Sequence, residues 1–157
     1  MAAASTSSIP EDEVPFAHPI HEAAFTNDQA AIVKWLDEDR TLIDVLDTRG
    51  CSPILCAAAG GHHDLVQWLI EMKSMCIDTP DCNGMTPMHV AAMKGHCRVM
   101  RTLVKNGSKA LTMQDNAGRA PLHVATFLKQ KHAFLDALDC GPSVLRRRTC
   151  DGYLPVQ

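Results

Sequence analysis

His62-His63 and His96-Cys97 stand 34 residues apart, two pairs of metal-ligand residue types on one interval. Zinc would hold them only if the donor atoms converged to bonds of about 2.0–2.3 Å. Packed helices lie about 8–10 Å apart axis to axis, so ligands on two helices converge only through cooperative rotamers. That spacing argues against a metal centre. His21, His89 and His123 form a second column on the same interval, with Leu55 in the step between the first two. The seven cysteines are an odd number and contain no Cys-x-x-Cys, which argues against a disulfide framework or a zinc ribbon. Cys56 and Cys97 fall in or near helical patterns, where a thiol is ordinary apolar filler. No nucleophile–base pair, phosphate loop or pair of carboxylates suited to acid–base work is present. The expectation is a chain with no catalytic residues, no metal and no cofactor, one that holds something rather than transforms it.

The interval behind these pairs organises most of the chain. Proline falls at 19, 53, 87, 121 and 155, and glycine at 50, 84, 118 and 152. Alanine repeats at 23, 57, 91 and 125, and aspartate at 47, 81 and 115. Two apolar rows keep the same 34-residue step: Ile43, Ile77, Leu111, Leu145, and Ile32, Val66, Met100, Phe134. A strict period of this length is the signature of stacked repeats, each too small to bury its own apolar face.

The clearest copy runs from Asp81 to Lys109. Asp81-Cys82-Asn83-Gly84 has turn chemistry, suited to a tight reversal between extended segments. Thr86-Pro87 reads as a helix start, because Thr caps well and Pro loses no intrahelical bond at the first position. A first helix is predicted over Met88–Lys94, broken at Gly95. Val99, Met100, Leu103 and Val104 then form the apolar stripe of a second helix. Asn106-Gly107 supplies a left-handed stop.

The unit resembles the ankyrin repeat, a turn followed by two antiparallel helices. The family's Thr-Pro-Leu-His-x-Ala-Ala core appears as Thr86-Pro87-Met88-His89-Val90-Ala91-Ala92, followed by Gly95-His96. Looser copies are SPILCAA at 52–58, APLHVAT at 120–126 and PIHEAA at 19–24. The step of 34 exceeds the family's usual length of about 33 by one, and the surplus lies between Ile70 and Gly84. The resemblance implies an all-α repeat solenoid of helix–turn–helix units joined by β-turn or hairpin loops. It spans residues 18–157, with repeats at about 18–46, 47–80, 81–114 and 115–148 and a partial fifth at 149–157. It also makes Pro19, His21, Gly50, Pro53, Gly84, Thr86, Pro87, His89, Gly118, Pro121, His123 and Gly152 structural positions. The family histidine bonds the Thr hydroxyl and the backbone of the adjoining turn, so Leu55 must do without that bond. Ala120, standing where Thr86 does in its copy, weakens its cap by about 1 kcal/mol.

Composition sets the remaining bounds. Only 4% of residues are aromatic, so the core is aliphatic and alanine-rich. No apolar run approaches the roughly 20 residues of a membrane span. Residues 1–17 read as a disordered acidic leader without the pattern of a secretory signal. The thiols are then expected to be reduced, in the cytoplasm or secondarily the nucleus. The chain stops within a fifth unit, which favours a segment of a larger protein; the competing reading makes the fourth helix pair a cap with a frayed tail.

Charge is polarised. Residues 1–80 hold 13 acidic and 4 basic side chains, net −9, and residues 81–157 hold 5 and 11, net +6. The basic end (Lys94, Arg98, Arg101, Lys105, Lys109, Lys129, Lys131, Arg146, Arg147, Arg148) suits an acidic or phosphorylated segment; the bland reading is a solvated outer face. Nucleic acid is not expected, since aromatics are not interleaved and the acidic half repels a phosphate backbone.

Mapped on the resemblance, the inward first-helix column is Phe25, Ala59, Met93, Phe127, with Thr26, Gly60, Lys94, Leu128 beside it. The residue after each turn glycine is Cys51, Met85, Arg119, Tyr153. Phe25, Met85, Met93, Lys94, Arg119, Phe127, Leu128 and Tyr153 are the candidate partner-binding residues, unless local packing covers the apolar ones. The resemblance implies a protein-binding scaffold or adaptor segment. Arrays similar to this one occur in actin-bundling espins, channel N-termini and signalling adaptors, and Trp35-Leu36 and Trp68-Leu69 resemble espin-like copies. The alternatives are a free-standing small inhibitor of a kinase or other enzyme, and a polyanion or membrane-surface binder acting through the basic half.

Overall fold

Each first helix of this chain begins at a proline, and in three of the four a capping side chain precedes it. In the structure, a computed structural model, residues 18–72 and 74–127 are described. Helix α1 is Pro19–Thr26, α3 is Pro53–Gly60, α5 is Pro87–Lys94 and α7 is Pro121–Phe127. Ser52 Oγ accepts the Leu55 N–H at 3.4 Å, and Thr86 Oγ1 accepts the His89 N–H at 3.4 Å. His18 Nδ1 accepts the Ile20 N–H ahead of α1. These bonds satisfy donors that a helix start otherwise leaves unpaired.

The first three of these helices end in a left-handed residue: Asn27, Gly61 and Gly95, with φ of 65°, 81° and 77°. The next residue's N–H returns to the carbonyl five places back, as His62 does to Ala57 and His96 to Ala91. That closure reverses the chain and starts the second helices: α2 Gln29–Glu38, α4 His63–Glu71 and α6 Cys97–Lys105. Gly107, with φ of 86°, ends the third pair the same way, and Ser108 N–H bonds the Leu103 carbonyl at 3.0 Å.

The first helices stack in the order α1, α3, α5, α7, and α4 packs on α6. Ile20, Ile54, Met88 and Leu122, one per repeat, are fully buried. Ala23, Ala24, Ala57, Ala58, Ala91, Ala92 and Ala125 are buried between the same helices, where only a methyl group fits close backbones. Ile32, Val66 and Met100 continue the core along the second helices. On α6, Val99, Met100 and Leu103 are buried while Arg98, Arg101 and Lys105 are exposed.

The turns differ from the extended segments expected on either side of them: no strand occurs among the described residues. Two backbone bonds close each turn, as when Asp81 N–H bonds the Met85 carbonyl at 3.0 Å and Gly84 N–H the Asp81 carbonyl at 2.9 Å, too little pairing for a ladder. The turn aspartates hold the loop instead. Asp47, Asp81 and Asp115 each accept two backbone N–H groups through Oδ1, two and four residues on, at 2.7–2.9 Å. Successive turns are joined, Cys82 N–H to the Arg49 carbonyl at 2.8 Å and Asn116 N–H to the Asn83 carbonyl at 3.0 Å. Gly84 sits in that seam with φ of +76°, where a Cβ would lie 2.7 Å from the Asn116 nitrogen.

The long connections are tied to the preceding repeat as well. Asp44 accepts from Ser74 Oγ at 2.7 Å and from Met75 N–H at 3.1 Å. Asp78, 34 residues on, accepts from Ser108 Oγ and from Lys109 N–H.

Candidate protein-binding surface

The first helices stack in turn and successive turns are hydrogen-bonded, and the described candidate residues lie at the ends of those helices or in those turns. Phe25, at the end of α1, is 43% exposed. Lys94 is exposed at the end of α5, where its charge suits the helix C-terminus. Met85 and Met93 differ from an open stripe: both are half-buried and packed on the core. Met93 stands one repeat on from half-buried Ala59. Cys51 is buried outright, so the position after the turn glycine is not uniformly exposed. Phe127 closes α7, while Leu128, Gly152 and Tyr153 lie outside the described residues, as do the leader, the partial fifth repeat, and Lys129, Lys131 and Arg146–Arg148.

Arg119 is committed to its own turn. Its guanidinium meets Asp115 Oδ2 at 2.8–2.9 Å. Burial pushes the Asp115 carboxyl up, but the Arg119 guanidinium and the N–H groups of Arg119 and Ala117 outweigh it and leave the pKa below the usual value. Asp47 is lowered in the same way: burial opposes, and the Cys51 and Arg49 N–H groups and the Arg49 charge prevail. Burial drives the thiols the other way, Cys51 up to about 11 and Cys56 up to about 12. Neither supplies a thiolate at neutral pH.

The histidines act on backbone. His89 Nε2–H donates to the Arg119 carbonyl at 2.9 Å, and Nδ1 accepts the Thr86 N–H at 3.2 Å and contacts Thr86 Oγ1 at 2.9 Å. The ring therefore ties the start of α5 to the next repeat's turn, and its burial holds the pKa below the ordinary 6.5. His123 Nδ1 takes the Ala120 N–H at 3.2 Å. His21 departs from the pattern, with Nε2 donating to the Val45 carbonyl at 3.0 Å.

His62 and His96 have a role that the spacing argument missed. Their Nε2 atoms reach back one repeat, to the Phe25 carbonyl at 2.8 Å and the Ala59 carbonyl at 3.2 Å. Each bond fastens the end of one first helix to the turn of the next. A Cβ on Gly60 would lie 2.5 Å from both His62 Nε2 and the Phe25 carbonyl oxygen, so glycine there is a packing requirement. Among the described residues no group of three or more His, Cys, Asp or Glu side chains is placed to hold a metal ion. The signal that could have revealed these bonds was the same 34-residue step, shared also by Asp44/Asp78 and Ser74/Ser108.

A family model of ankyrin repeats, in three copies, matches residues 20–114. The chain belongs to the ankyrin-repeat family. Its architecture is the all-α repeat solenoid that the resemblance implied, and ankyrin repeats are protein–protein interaction modules. The match ends at 114, yet the Asp115–Gly118 turn and α7 repeat the ankyrin geometry beyond it. No helix among the described residues is long and apolar enough to cross a membrane.

Proposed function

We propose that this ankyrin domain is a scaffold or adaptor segment that captures a protein partner along the first-helix and turn-tip edge. The observation that carries the reading is Phe25, a large apolar side chain 43% exposed at the end of α1, where the His62 ring holds its carbonyl at 2.8 Å. A stiff surface loses little entropy on binding, and an exposed aromatic is a common anchor. Glu22 lies on the same face near the first end and Lys94 near the third, so the partner is oriented by charge as well as shape. Met93 contributes its uncovered edge. The compartment that suits a chain whose described cysteines are free thiols is the cytoplasm.

Affinity capture from matched cell lysate, read by mass spectrometry, tests this. The wild type is compared with a Phe25→Glu/Lys94→Glu variant of unchanged helicity. Proteins retained only by the wild type support the edge as the working surface; identical retention overturns it.

A further inference from the structure

The second-helix layer carries a charge pattern that partner capture does not use. On α4 the exposed ionised groups are Asp64 and Glu71; on α6 they are Arg98, Arg101 and Lys105, of which Arg98 and Lys105 stand one repeat on from Asp64 and Glu71, and Arg101 one repeat on from the neutral Gln67. The Asp64 side chain is 97% exposed, with His63 Nδ1 at 3.3 Å. Glu71 accepts only an amide bond from Gln67 at 2.7 Å, and Arg98 and Lys105 make no ion pair among the described residues. Asn106 Nδ2 donates to Gln67 Oε1 at 2.8 Å, fastening the two helices at a fixed separation.

We propose that the outer faces of α4 and α6 form a self-complementary docking surface for a second copy of this chain. The repeat carries Asp64 onto Arg98 and Glu71 onto Lys105, so all four share one register. A two-fold axis between the helices and parallel to them sets a second α4 over α6 and a second α6 over α4. Asp64 then meets the other copy's Arg98, and Glu71 its Lys105, each pair occurring twice. The arrangement with α4 facing α4 opposes like charges. Any other partner would need this mirrored pattern independently; a second copy has it by construction. The face lies on the helix layer away from Phe25, so the dimer leaves the proposed capture edge open.

Exposed ion pairs are individually weak and screened by salt, so the dimer is a low-affinity one that forms at high protein concentration and low ionic strength. Sedimentation velocity on the full chain tests it. The wild type is expected to sediment as a dimer in low salt and as a monomer at about 1 M salt, where the screening length falls to about 3 Å. Asp64→Arg/Glu71→Lys and Arg98→Asp/Lys105→Glu variants, each checked for wild-type helicity, are each expected to lose the dimer. Mixing the two variants restores it, because each now offers what the other lacks. A wild type that stays monomeric in low salt overturns the proposal. So do variants that still dimerise alone, or a mixture that fails to regain dimer mass. None of these readouts depends on the capture edge, so the two proposals fail separately.

Discussion

The second and fourth repeats begin their first helices at the same place with opposite halves of one device. The second keeps the hydroxyl, Ser52, and has Leu55 where the ring would be. The fourth keeps the ring, His123, and has Ala120 where the hydroxyl would be. The third has both, in Thr86 and His89. All three start at a proline preceded by a glycine of positive φ. The comparison separates what sets the geometry from what adds to it. Glycine and proline fix the path, either half of the cap is enough to open the helix, and the ring with both partners additionally joins one repeat to the next.

The largest effect is expected where the shared geometry is broken. Gly84→Val puts a β-branched residue at φ of +76° with its Cβ against the Asn116 backbone. We expect a loss of about 3 kcal/mol, read from urea unfolding followed by circular dichroism. An unchanged midpoint would mean that the seam between turns carries no load.

Next comes the ring itself. His89→Leu gives the third repeat the second repeat's arrangement but leaves the Thr86 N–H buried without its acceptor, for an expected cost of about 2 kcal/mol. The same group governs a pH effect. Its folded pKa lies below the unfolded value of about 6.5, so its contribution is complete above that pH and is lost as the pH falls through it. Stability should therefore drop on acidification below about pH 6.5, and His89→Leu should flatten that part of the profile. A variant with the wild-type slope would assign the titration elsewhere.

Asp78→Ala removes the bonds to Ser108 and Lys109 N–H and should cost about 1 kcal/mol in the same unfolding measurement. A smaller change of opposite sign is expected from Ala120→Thr, which completes the fourth cap: a gain of up to about 1 kcal/mol. If instead it destabilises, the pocket beside His123 has closed around the methyl group. Phe25→Glu should shift stability least, within about 0.5 kcal/mol, because the ring is exposed.

Helix boundaries, turn positions and the core columns were legible because the 34-residue step lines up proline, glycine and apolar residues without any knowledge of packing. The predicted first helix over Met88–Lys94 differs from the observed one by a single residue, Pro87. Burial across a repeat boundary was not legible. By column alone Met85 and Met93 belong to an open face, but their exposure depends on what the adjoining repeat places beside them. The bonds of His62 and His96 escaped for the same reason: each partner is a backbone carbonyl one repeat away, and backbone carries no residue identity to read.

The most direct test of the binding account is amide hydrogen exchange on the chain with and without a partner retained by the wild type. We expect protection at the turn tips around Arg49 and Asn83 and at the ends of α1 and α5, with α4 and α6 exchanging as in the free chain. Protection confined to α4 and α6 would contradict it and move the working surface to the second-helix layer.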